Sequence, residues 1–211
     1  MKSNSKHRYT KENSIIYAEK DEYSLTEHEF FCVYSFYVTY SMCGSQSFKK
    51  RSFSDYGWND DLIEQTIEHK KVKTELGKAL SKVIDLKNDR FCFLTDKNNL
   101  DDLFKKCNLL DGSLSDYDTE RAVISDTNES NKYLKLFYRI RDGFAHGKFL
   151  LKYSSTHEKM VIIQDDNTHN VTARIVIKLS TLLSIIETVD INGIIGYNFR
   201  QKTVEAIETV A

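Results

Sequence analysis

The feature that most constrains this chain is a change of hydrophobic period at Gly147. Before it, Tyr133, Leu136, Phe137, Ile140 and Phe144 recur at three- and four-residue steps and predict an amphipathic helix over 131–145. After it, Phe149, Leu151 and Tyr153 alternate with Lys148 and Lys152, as in a strand. The apolar runs 160–163 and 171–177 flank Asp165-Asp166-Asn167-Thr168-His169-Asn170, which is a hairpin signature. A helix must therefore hand over to antiparallel strands within a few residues, and Gly147 is well placed to stop it in a left-handed conformation.

The remaining segments read as helices. From 26 to 42 the chain is dense in large apolar groups (Phe30, Phe31, Tyr34, Phe36, Tyr37), and Thr26 with Glu29 has capping-box spacing. A second helix is expected over 59–86, with Asn59 as its cap. Asp60 and Asp61 suit its positive end, and Leu62, Ile63, Ile67, Leu76, Leu80, Val83 and Ile84 form its stripe. A short helix is expected over 99–107 and a long loop over 111–131, which is rich in Ser, Asp, Asn and Thr. Leu179, Leu182, Leu183, Ile185, Ile186 and Val189 return to helical spacing, and 203–210 is a last amphipathic stretch. No proline interrupts any of these. The expected fold is mainly α: a helical bundle with a small antiparallel β-hairpin at about 148–177 inserted after the 131–145 helix. It is flanked by a polar arm over 1–24 and a C-terminal extension over 195–211, with the helical domain spanning 25–194.

Composition narrows the function classes. At 211 residues and 40% hydrophobic, the chain suits one domain with a real core. Its formal net charge of -1 advertises no polyanion partner, so any nucleic-acid site must be a local patch. Lys2, Lys6, His7 and Arg8 are followed by no apolar run, and no window approaches the ~20 apolar residues of a membrane span. A soluble, cytoplasmic protein with no membrane partner is expected. Cys32, Cys43, Cys92 and Cys107 form no C-x-x-C pair and read as reduced, partly buried thiols. His28, His69, His157 and His169 show no ligand spacing, and Asp165-Asp166-Asn167 lacks the Gly and distal Glu of a calcium loop, so neither metal nor cofactor is expected. No phosphate-cradling Gly-rich loop or nucleophile elbow appears, which leaves ATP and acyl chemistry unsupported. Lys49, Lys50 and Arg51 make a small basic cluster beside Phe48 and Phe53, read as a solvated loop.

One segment carries chemical punctuation: Phe137-Tyr-Arg139-Ile-Arg141-Asp142-Gly-Phe-Ala-His146-Gly-Lys-Phe149. Arg141 and His146 enclose four residues, Arg139 and His146 enclose six, and Asp142 follows the second arginine. These residues resemble the HEPN family, helical domains whose ribonuclease members carry R-x4-6-H, often with a polar residue after the arginine. The resemblance is sharpest over 131–177, where the hairpin with Ile163-Gln-Asp-Asp-Asn167 is similar to HEPN-like proteins of plasmids, phages and bacterial defence loci.

It implies a HEPN-like bundle and a metal-independent endoribonuclease acting as a homodimer with a composite active site. The role implied is that of a toxin or anti-phage effector restrained by an antitoxin or regulatory protein. Arg141 and His146 are then the catalytic pair, with Arg139 as alternative arginine, Asp142 as orienting group, and Lys148 and Lys152 as RNA-backbone contacts. Some family toxins have Tyr two positions after the histidine as a nucleotidylation target; here that position is Lys148.

Chemistry gives the motif its reason. Cleaving RNA without metal requires taking a proton from a 2′-hydroxyl and giving one to the leaving 5′-oxygen, and imidazole suits both tasks near neutrality. A guanidinium can hold two oxygens of the phosphorus transition state in fork geometry. Helix geometry complicates the pairing: residues seven apart share a face, whereas residues five apart diverge by about 140°. Three alternatives stay open. An Arg, Asp and His at a helix C-terminus also satisfy orphan carbonyls; the chain can be an inactive RNA- or protein-binding module; or it can be an antitoxin or regulatory subunit.

Overall fold

The computed structural model describes residues 14–43, 49–59, 61–94, 100–110, 114, 116–125, 131–166 and 171–196. In chain order its elements are α1 (Ile15–Ala18), α2 (Glu27–Val33), a π-helical stretch (Tyr34–Thr39), β1 (Glu64–Ile67), β2 (Lys70–Lys73), α3 (Glu75–Val83) and β3 (Phe91–Phe93). They continue with α4 (Leu100–Lys106), β4 (Arg121–Ile124), α5 (Lys132–Ala145), β5 (Phe149–Tyr153), β6 (Lys159–Asp166), β7 (Val171–Lys178) and α6 (Leu179–Val189). They fall into two compact units. One comprises the described residues within Met1–Ser24, Lys87–Asn128 and Asp142–Lys178, and the other those within Leu25–Leu86, Glu129–Arg141 and Leu179–Ala211.

The first unit is built on a five-stranded mixed sheet in the order β3-β4-β7-β6-β5. β3 runs parallel to β4, and every other neighbour is antiparallel. Residues 160–165 of β6 and 171–177 of β7 are buried without interruption, so both sheet faces are covered at the centre. On one face Val123, Leu150, Met160, Ile162 and Val176 pack with Ile16, Phe104 and Leu109. The fully buried guanidinium of Arg174 is satisfied there by the Gln164 side chain at 2.9 and 3.1 Å and by the Leu109 carbonyl.

Residues 19–22, within the stretch read from sequence as a polar arm, lie along the edge strand β5. The Glu22 N–H donates to the Leu151 carbonyl at 2.8 Å, and the Asp21 carboxylate accepts from the Leu151 N–H at 2.7 Å. The exposed edge is thereby covered.

The second unit holds α2, the π-helical stretch, the β1–β2 hairpin, α3, most of α5 and α6. Thr26 and Glu29 close the expected capping box reciprocally, at 3.2 and 2.8 Å. The helix then widens at Tyr34–Thr39, where the Tyr40 N–H reaches back five residues to the Ser35 carbonyl at 2.8 Å. Phe36 and Tyr37 meet Phe137 edge-on at 6.3 and 6.0 Å, and the buried Tyr37 hydroxyl donates to the Leu182 carbonyl.

This α+β architecture overturns the expected mainly α bundle with one small inserted hairpin. The 160–177 hairpin forms, but it is the middle of a larger sheet: β5 extends it on one side, β4 and β3 on the other. β4 rises from the segment expected to be loop. The expected helix over 59–86 is also corrected, because residues 64–73 form β1 and β2 and helix begins again only at Glu75. Glu68 and His69, both left-handed at φ 48° and 65°, make the two-residue turn between those strands. The amphipathic stretch over 203–210 lies outside the described residues. Among the described residues no helix is long and apolar enough to cross a membrane.

Candidate functional site

The helix α5 carries the motif, and its end is built by the residues the sequence singles out. The Gly147 N–H donates to the Phe144 carbonyl at 3.2 Å and the Lys148 N–H to the Gly143 carbonyl at 2.7 Å, with Gly147 at φ +63°. This pair of bonds is a Schellman motif, with His146 as the C-cap residue and Gly147 as the left-handed residue after it. The His146 N–H still donates to the Asp142 carbonyl at 3.1 Å, so its backbone is fixed by the last turn while its side chain is exposed. Gly143 lets this end approach the sheet: a Cβ there would stand 2.2 Å from Ile163 Cγ2. Phe144 stacks at a tilt on Phe149 at 4.8 Å. The turn that presents His146 is therefore seated on β5 and β6.

The boundary between the two units falls inside α5, between Arg141 and Asp142. Arg139 and Arg141 belong to the helical unit, and Asp142, His146, Lys148 and Lys152 to the sheet unit. Arg139 is buried, 8% exposed, and its guanidinium lies 5.5 Å from the Tyr138 ring. Arg141 is half-buried in the final turn of α5, and Asp142 is buried at 9% exposure. α5 ends at Ala145, and His146 follows it as the C-cap residue, its N–H still bonded one turn back to Asp142.

The two lysines expected to contact RNA are both engaged within the fold. Lys148 Nζ forms an ion pair with the Asp166 carboxylate and also donates to the Asp166 carbonyl at 3.2 Å. Lys152, 7% exposed, pairs with Glu19 at 2.7 Å and Glu22 at 3.1 Å. Burial works against its charge, but the two carboxylates outweigh burial and lift its pKa above the ordinary value. Glu22 is held below the ordinary carboxylate range, first by the Tyr153 N–H and then by Lys152. Sequence reasoning places Asp166 only in a hairpin turn, not beside Lys148, and does not single out Glu19 or Glu22. The register Phe149↔Ile163, which brings the end of β6 beside Lys148, is the signal that reveals Asp166.

In the basic cluster, Lys49 and Arg51 lie over the Tyr40 ring at 5.7 and 5.6 Å, and Arg51 faces Asp55 at 3.8 Å. His28 contacts Cys32 at 3.7 Å and His157 meets the Tyr153 ring, while His169 lies outside the described residues. Among the described residues no group of three or more His, Cys, Asp or Glu is placed to hold a metal ion.

No family model, curated protein or solved structure matches this chain. The functional reading accordingly rests on the local chemistry of the α5 terminus. What the structure presents there is an exposed imidazole, at His146, directly after the last residue of α5.

Proposed function

We propose that this protein is a metal-independent endoribonuclease of the HEPN R-x4-6-H type, working at the C-terminal end of α5. The observation that carries the reading is His146 itself: exposed, fixed by a Schellman turn, and following the helical turn that bears Arg141 and Asp142. The 2′-oxygen attacks phosphorus, the bond to the 5′-oxygen breaks, and the products are a 2′,3′-cyclic phosphate and a 5′-hydroxyl. His146 carries the proton at one of the two oxygens, and Arg141 holds the phosphoryl oxygens as charge develops. One imidazole serves one transfer at a time, so the reading includes a homodimer in which the partner's copy completes the site. Its biological setting is a cytoplasmic toxin or anti-phage effector restrained by a protein partner. The reading takes its support from the motif and not from the α+β fold.

One set of observations favours a second reading, an inactive RNA- or protein-binding or regulatory module. Arg139 and Asp142 are buried, and Lys148 and Lys152 are paired with carboxylates, as structural residues would be. Expression in a bacterial host separates the two. Wild type is expected to arrest growth and fragment cellular RNA, while His146→Ala and Arg141→Ala chains of equal abundance do neither. A harmless wild type that leaves RNA intact, with no restraining partner present, selects the binding module.

A further inference from the structure

We propose that Cys92 and Cys107 form a peroxide-sensitive dithiol, closing to an intramolecular disulfide that ties β3 to the end of α4. Their Sγ atoms lie 3.6 Å apart although the residues are 15 positions apart in sequence. Cys92 is the middle residue of β3, and Cys107 directly follows α4. A disulfide needs a separation of ~2.05 Å, so closure asks for side-chain movement of about 1.5 Å.

The two thiols are unlike, and the difference orders the chemistry. Cys92 is half-buried and its thiol donates to the Asp89 carbonyl at 3.3 Å. Cys107 is 7% exposed and packs in the core beside Phe104, Leu109 and Val123. Burial first, and contact with the Cys92 thiol second, push the Cys107 thiol up to about 12, against a smaller opposing pull from Lys106 and Arg121. Cys92 is therefore the thiol that meets the oxidant, and Cys107 the one that resolves. Cys107 also lines a cavity of about 210 Å³ with the cations Arg90, Lys106 and Arg121 and the carboxylates Asp89 and Asp116.

The steps balance with hydrogen peroxide as the two-electron oxidant. Cys92 sulfur attacks one peroxide oxygen, the O–O bond breaks, and water leaves as the sulfur becomes a sulfenic acid. Cys107 sulfur then attacks Cys92 Sγ, the S–O bond breaks, and the departing hydroxide takes the Cys107 proton to form a second water. Two thiols and one peroxide give one disulfide and two waters. Cys32 and Cys43, both buried and in the other unit, are the internal controls.

The test treats the folded full-length chain with equimolar hydrogen peroxide, then counts thiols after denaturation and maps peptides without reductant. The expected result is a fall from four free thiols to two, a mass loss of about 2 Da, and the Cys92 and Cys107 peptides joined until dithiothreitol is added. A chain carrying both Cys32→Ser and Cys43→Ser should crosslink as wild type, and Cys92→Ser should not crosslink at all. Four retained thiols, a bridge involving Cys32 or Cys43, a bridge between two chains, or Cys92 passing to sulfinic acid with a gain of about 32 Da would each overturn the proposal. The wild-type peptide map decides even where a serine variant fails to fold.

Discussion

At the scale of single residues, Gly143 seats the turn that presents His146 against β6, and Glu22 ties the segment before α2 to β5. Gly143 faces Ile163 with no room for a side chain, because an added Cβ would come within 2.2 Å of the Cγ2 methyl of that buried residue. Gly143→Ala should therefore lower stability by about 1–3 kcal/mol despite alanine's better helix propensity. The same change should cost less in an Ile163→Ala background, where the clashing methyl is gone. Thermal melts of the two single variants and the double variant check this, and equal costs in both backgrounds would remove the contact from the account.

Glu22 makes a pH prediction. Its folded pKa is depressed below its ordinary value of 4.5, so its contribution is present above that value and is lost as pH falls through the folded one. Urea midpoints measured from neutral into acid should drop more steeply for wild type than for Glu22→Gln. Since the side chain is 45% exposed, solvent screening keeps the difference small.

At the scale of elements, the two threonine caps differ in what they hold. Thr26 serves α2 from an exposed position, while Thr74 is buried. Its hydroxyl donates to the Leu62 or Ile63 carbonyl, at 2.8 and 3.0 Å, and accepts from the Gly77 N–H. Thr74→Ala should cost about 2 kcal/mol and Thr26→Ala about 1 kcal/mol. Chemical denaturation of the pair reads the order, and a reversed order contradicts it.

The elements also mark how far the amino-acid pattern could be read. Long periodic helices with a stop signal were legible, α5 and α6 above all, as was the capping box at Thr26. The β1–β2 hairpin was not, because Leu62, Ile63, Ile67, Leu76 and Leu80 sit at helical steps and its turn uses Glu68 and His69 where Asn-Gly would have flagged it. β3 and β4 have three and four residues, too few for a period, and their neighbours come from distant segments: β4 joins β7 about fifty positions on. Val161-Ile162-Ile163 and Ile175-Val176-Ile177 are continuous apolar runs, which indicate strands covered on both faces where a solvent-facing hairpin would alternate.

For the candidate site, the positions of His146 and Gly147 at the end of α5 were readable from local pattern. The burial of Arg139 and the carboxylate partners of Lys148 and Lys152 were not, since those depend on sheet register and on residues 19–22 crossing to β5.

At the scale of the whole molecule, a formal charge of -1 leaves RNA affinity to local cations, and the two motif-proximal lysines are already neutralised within the fold. The proposed function therefore assigns catalysis to Arg141 and His146, brought together with a second copy of the chain. Light scattering should give twice the 24.6 kDa chain mass, and a monomer at working concentration would remove the shared site. The most direct measurement is digestion of RNA by the purified chain in excess EDTA, with the product ends analysed chemically. Cleavage to 2′,3′-cyclic phosphate and 5′-hydroxyl ends, reduced at least about a hundredfold in His146→Ala, is the predicted result. Undiminished cleavage by folded His146→Ala, or none by the folded wild-type dimer, would contradict it.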